Sequence, residues 1–115
     1  MFRNFIQSVT APNPLETDVA QVAKAQADGS AQIVDVREAN EWAGGHIPDA
    51  IHIPLGQLTQ RQKKLDRSRP VILVCRSGSR SMLGAKMLKE AGFENVKSMA
   101  GGIVAWAKDG HPVTY

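Results

Sequence analysis

The residues best placed to do chemistry sit together in Cys75-Arg76-Ser77-Gly78-Ser79-Arg80-Ser81. Cys75 closes the most apolar run of the chain, Val71-Ile72-Leu73-Val74-Cys75, and small residues follow it. A strand that enters a helix through such a turn can curl so that successive N–H groups point at one centre. The positive end of the helix dipole adds to the field there, and the concavity binds an anion. A thiolate in that ring is favoured over the thiol, and Arg76 and Arg80 are expected to push the same way, with no carboxylate in the loop to oppose them. The expected result is a cysteine ionised near neutral pH, facing a site that accepts a second anion. The plainer reading is a buried strand-end thiol followed by an ordinary helix cap. Two arginines and three serines are a poor setting for an inert thiol.

Cysteine usage and charge narrow the alternatives. Cys75 is the sole cysteine, which removes an internal disulfide and a thiolate zinc cluster. Fourteen Lys and Arg against eleven Asp and Glu leave +3, too mild to argue for nucleic acid but suited to a small anionic substrate. At 115 residues with 43% apolar and 22% charged side chains, the chain has the make-up of one globular domain, not of a disordered segment or a coiled coil. Its apolar runs fall far short of the ~20 residues that cross a bilayer. Met1 to Ala11 lacks the apolar core of a secretory signal. A soluble, cytoplasmic protein with no membrane or nucleic-acid partner is expected.

The elements that must position the cysteine can be read from pattern. Residues 1–14 form an irregular lead-in with a short strand near Phe5 to Val9, and 15–115 form the domain. A helix fits Asp18 to Ala27, with Thr17 or Asp18 as cap and Gly29 as stop. Gln32 to Val36 reads as a buried strand, Ala39 to Ala43 as a helical turn, and Ile51 to Ile53 as a brief strand between prolines. Residues 57–65 suit a helix with Leu58 and Leu65 inward. Val71 to Cys75 is a second apolar strand, Ser79 to Ala91 a helix closed by Gly92, Val96 to Met99 a strand, and Ile103 to Lys108 a last helix. Strands that are apolar on both faces and alternate with helices indicate an α/β domain with a mostly parallel sheet. Ligands gather at the carboxyl tips of such strands, where Cys75 stands.

Four stretches together resemble a single-domain rhodanese, in that family's order. They are Ile33-Val34-Asp35-Val36-Arg37-Glu38, Gly45-His46-Ile47-Pro48-Asp49-Ala50-Ile51-His52-Ile53-Pro54, Val74 to Ser81, and Gly101-Gly102-Ile103-Val104-Ala105-Trp106. Asp49 stands where the family more often has glycine. The resemblance implies one rhodanese-like domain with a sheet of about five mostly parallel strands and helices on both faces. It implies that Cys75 is the sulfur-carrying nucleophile, taking the outer sulfur of thiosulfate or a persulfide and handing it to a thiol, a protein thiol included, or to cyanide. Loop N–H groups from Arg76 to Ser81 suit the charge on sulfur and on a departing sulfite, and Arg76 and Arg80 suit sulfonate oxygens. That chemistry needs no metal or organic cofactor. The loop differs from the Cys-Gly-Ser/Thr-Gly-Val form of the branch acting on mercaptopyruvate.

Two other functions use similar parts. Cysteine-dependent phosphatases and arsenate reductases place five residues between cysteine and arginine, whereas four separate Cys75 from Arg80, a smaller cradle than a phosphoryl group needs. A persulfide carrier or regulatory module serving a protein partner would keep Cys75 without turning over small donors. The basic run Arg61, Lys63, Lys64, Arg67 and Arg69 is either a docking face or, more simply, a solvated surface. His46 and His52 are expected in local hydrogen bonds, since a preformed thiolate needs no base. Asp35 and Arg37 are expected to form a structural ion pair with Glu38 or Glu41. Trp42 and Trp106 are expected to pack, and Gly101-Gly102 to turn the chain tightly.

Overall fold

The computed structural model describes residues 13–115, so the strand expected near Phe5 to Val9 lies outside the described residues. In chain order the elements are β1 (Glu16–Thr17), α1 (Val19–Asp28), β2 (Gln32–Asp35), α2 (Ala39–Ala43), β3 (Ile51–His52), α3 (Leu58–Arg61), β4 (Val71–Val74), α4 (Ser79–Glu90), β5 (Val96–Met99) and α5 (Gly102–Lys108). The five strands make one sheet in the order β1-β5-β4-β2-β3, every pairing parallel. β4 lies at its centre, which is why all four of its residues are buried and its sequence reads as an unbroken apolar run.

The chain crosses the sheet in opposite directions through α1 and α4, and right-handed crossovers then put these helices on opposite faces. On one face Val19, Val22 and Ala25 of α1 and Trp106 of α5 pack against Ile33, Ile72, Val74 and Met99. On the other, Leu58 of α3 and Ala85 and Leu88 of α4 pack against Val34, Val36, Leu73, Cys75 and Val96. The two-residue period of a strand makes this division. It sends Cys75 to the α4 face, and Ser98, two residues after Val96, to the same face.

Chain ends of the elements follow the capping chemistry. The Asp18 carboxylate accepts the Gln21 N–H at 2.9 Å, and Gly29 at φ 69° ends α1 in the left-handed conformation. Two segments depart from expectation. Residues 57–65 do not form one helix; a 3₁₀ turn at Leu55–Gln57, the short α3 and a second 3₁₀ turn at Gln62–Lys64 share the span. Leu58 and Leu65 are its only buried residues, too few for the apolar stripe that holds a regular helix. β1 carried no recognisable pattern because two residues cannot show one. It is held by main-chain bonds, Ser98 N–H to Leu15 O at 2.7 Å and Ala100 N–H to Thr17 O at 2.9 Å. Asp49 adopts φ 68°, the conformation glycine takes most readily.

The tightest backbone approach is at Gly102. Its φ is 59°, and a Cβ there would run into the Arg76 carbonyl and the Cys75 carbonyl oxygen. That closeness lets the first turn of α5 donate to the end of β4, with Ile103 N–H to Cys75 O at 2.8 Å and Val104 N–H to Arg76 O at 3.2 Å. Gly102→Ala is therefore expected to lower stability by about 2 kcal/mol or more in equilibrium denaturant unfolding. A midpoint equal to that of the unsubstituted protein would show that the two segments separate without strain.

Candidate active site

Cys75 follows directly on β4 and is 1% exposed. Its Sγ accepts the Gly78 N–H at 3.0 Å and lies 3.4 Å from Ser81 Oγ. Gly78, at φ 114°, is the N-cap of α4 and has no side chain to offer the helix's free amides. The sulfur of Cys75 fills the role a capping oxygen normally takes. Burial pushes the thiol's pKa up. The Ser81 hydroxyl and the N–H groups of Ser81, Gly78 and Ser77 push it down more strongly together, so the thiol titrates below its ordinary range.

The arginines do less of this than expected, because one of them is engaged. Arg80 Nη1 and Nη2 donate to Glu41 Oε1 at 2.8 Å and Oε2 at 2.9 Å. Glu41 Oε1 also accepts the Glu38 N–H at 3.0 Å, which ties the pair to the capping box that opens α2. The loop holds no opposing carboxylate of its own, but α2 supplies one. The Arg80 hydrogen bonds draw the Glu41 carboxyl down to about 2, and Glu41 in turn raises Arg80. Arg76 is exposed, and its side chain has no hydrogen-bonding or ionic partner among the described residues. Ser77 and Ser79 are exposed, Gly78 is partly so, and Ser81 is buried. The structure thus gathers Ser77, Gly78 and Ser81 on the sulfur and leaves Arg76 facing solvent.

Residues nearby are structural. Arg37 Nη2 lies 2.8 Å from Asp35 Oδ2 and donates to Gly45 O at 2.8 Å, in a buried pair that involves neither Glu38 nor Glu41. His46 Nδ1 is 2.9 Å from Trp42 O and His52 Nε2 is 2.8 Å from Arg37 O, while both rings stack on Trp42. Trp106 is buried and donates to Pro112 O. The basic run is divided: Arg67 donates to Ala91 O and covers the Phe93 ring, and Arg69 donates to Gly29 O, leaving Lys63 and Lys64 in solvent. Among the described residues no helix is long and apolar enough to cross a membrane. Ser98, which the sequence reading passed over, stands 2.7 Å from Ser81 Oγ. Its signal was a small polar residue in register with Val96 on a buried strand face.

A buried thiol ringed by amides at the tip of the central strand of a parallel sheet defines an α/β domain with its sole cysteine in a strand-to-helix loop. Residues 18–109 match the family model described as the Rhodanese-like domain, and the chain belongs to that family. YtwF of Bacillus subtilis, provisionally named a sulfurtransferase, is 40% identical over 89 residues, 77% of this chain and 85% of that protein. The thiosulfate sulfurtransferase GlpE of Coxiella burnetii is 35% identical over 82 residues, 71% of this chain and 76% of GlpE. YrkF of Bacillus subtilis, provisionally named a sulfur carrier protein, is 37% identical over 83 residues, 72% of this chain but 45% of that protein. A crystal structure of a rhodanese-related protein from Thermoplasma volcanium superposes with a TM-score of 0.79 at 29% identity, over 86% of this chain and 96% of that one.

The Glu41–Arg80 pair has a definite pH signature. The folded carboxyl titrates at about 2 against an ordinary 4.5, so its stabilisation is present above about 4.5 and is lost as pH falls toward 2. With Arg80 partly in solvent the pair contributes about 1 kcal/mol or less. Thermal unfolding should show Glu41→Gln below the unsubstituted protein at neutral pH, with the gap closing across that acid window. A gap that stays constant through it would mean the pair contributes nothing.

Proposed function

We propose that this protein is a sulfurtransferase that moves a sulfane sulfur from thiosulfate or a persulfide to a thiol through a persulfide on Cys75. The observation that carries the reading is the Gly78 N–H bond to Sγ, at 3.0 Å, in a ring of donors that lowers the thiol's pKa. The thiolate attacks the outer sulfur of the donor. The bond between the two donor sulfurs breaks, its electron pair leaves with sulfite from thiosulfate or with the thiolate from a persulfide, and an Sγ–S bond forms. An acceptor thiolate, or cyanide in an assay, then attacks the outer sulfur, and the Sγ–S electron pair returns to Cys75. Each half of this cycle places negative charge on sulfur near the amides of Ser77, Gly78 and Ser81, where preorganised donors stabilise it.

Arg76 is the guanidinium free to meet sulfonate oxygens. Arg80 acts from within its pair with Glu41, so its charge reaches the donor in weakened form. Thiosulfate as donor is supported by the likeness to GlpE. A lone reactive thiolate suits the reducing cytoplasm, where nothing oxidises it to a disulfide. The second reading, a persulfide carrier loaded by a partner protein, is favoured by the likeness to YrkF.

Thiocyanate formation from thiosulfate and cyanide tests the proposal. The protein is expected to turn over, and Cys75→Ser to lose all activity while keeping its fold; full activity in that variant would end the proposal. Absent turnover with stable sulfur loading from a protein donor would favour the carrier. Arg76→Ala should raise the donor KM several-fold with kcat little changed, the mark of lost uniform binding. Arg80→Ala should raise it as well, because it leaves the Glu41 carboxylate unpaired at the mouth of the loop. The rate should climb with pH as the thiol ionises and level off below the ordinary thiol range.

A further inference from the structure

The sulfur's hydroxyl partner is itself held by a second hydroxyl. Ser81 and Ser98 are 0% and 1% exposed, and their Oγ atoms are 2.7 Å apart. Both also lie within reach of the Gly78 carbonyl oxygen, Ser81 Oγ at 3.1 Å and Ser98 Oγ at 3.4 Å, and that oxygen already accepts the Met82 N–H at 3.1 Å. Two protons are thus shared among Sγ, the two hydroxyl oxygens and a carbonyl that is satisfied without them. A hydroxyl has one proton to donate and two lone pairs to accept with, so the direction of the chain is free to reverse.

When Sγ is negative, Ser81 O–H donates to it and Ser98 O–H donates to Ser81 Oγ. When Sγ carries a proton, S–H donates to Ser81 Oγ, Ser81 O–H donates to Ser98 Oγ, and Ser98 O–H turns toward the Gly78 carbonyl. A persulfide moves the charge to the outer sulfur and leaves Sγ with no proton to donate and a weaker hold on the Ser81 proton. Without Ser98, the Ser81 proton would have Gly78 O as a standing competitor for Sγ and no donor behind it to polarise it.

We propose that Ser98 is a positioning residue for the Cys75 thiolate, acting through the Ser81 hydroxyl; the proposal rests on Cys75 being the working nucleophile. The charged groups around the sulfur do not substitute for it. Arg80 faces Glu41, Arg76 faces solvent, and Lys97 beside Ser98 points to the other side of the sheet, where its Nζ donates to Pro14 O.

Because the chain has one cysteine, the difference in ultraviolet absorbance between each protein and its Cys75→Ser counterpart titrates Cys75 alone. Ser98→Ala should raise the thiol's pKa by about half a unit, and Ser81→Ala should raise it further. In the Ser81→Ala background the Ser98→Ala shift should vanish, since the relay is already cut. Ser98→Thr and Ser98→Val add nearly the same bulk to the buried site and differ in the hydroxyl, so Thr should keep the lower pKa of this pair even if Ser98→Ala folds poorly. Equal titrations of Thr and Val variants, or a Ser98→Ala shift that persists without Ser81, would overturn the proposal. The readout is independent of sulfur transfer. A relay seen in a protein that makes no thiocyanate would count against the sulfurtransferase alone, and turnover with no Ser98 effect on the titration would count against the relay alone.

Discussion

Sγ of Cys75 collects N–H donors because the carbonyls of the same stretch are accepted elsewhere. A peptide that aims its N–H at the sulfur turns its C=O away, and a buried carbonyl without a partner costs about as much as the bond gained. The carbonyls of Cys75 and Arg76 go to Ile103 N–H and Val104 N–H, two of the free donors that any helix start possesses. One helix start therefore satisfies the outward side of the loop while another, that of α4, points its amides at the sulfur. Gly102 is required at the contact because no side chain fits between the two backbones.

This arrangement stabilises a thiolate mainly with dipoles. Burial opposes the charge, and a hydroxyl and three amides outweigh burial. Full positive charge is kept in reserve: Glu41 neutralises Arg80 in place, and Arg76 remains in solvent. Dipoles fixed by the fold favour the charge on sulfur without an ion-pair partner.

Most of what was legible in the sequence was local. Val71 to Val74 reads as a central strand because burial on both faces removes any polar alternation, and α1 is marked by Asp18 and Gly29 at its ends. The loop from Cys75 to Ser81 carries its donors in consecutive residues, so the curl of Gly78 toward the sulfur could be expected before any fold was known. The remainder depends on distance along the chain. Glu41 meets Arg80 across 39 residues and Ser98 meets Ser81 across 17, separations at which residue types alone indicate no partner. β1 and the broken 57–65 segment were illegible for a different reason: main-chain bonding and two leucines hold them, not a periodic face.

Trp106 gives α5 a part in both halves of the molecule. Its indole is sealed in the layer beneath the sheet with Val22 and Met99, while the first turn of the same short helix grips the far end of β4. A packing fault in that lower layer would tilt α5 and be delivered, as by a crank, to peptides on the opposite side. The two hydrophobic layers are consequently unequal in what they guard. One shelters the sulfur directly, and the other sets the angle of the bracket that holds its loop, so mild damage there would shift the donors around the sulfur while the chain still folds.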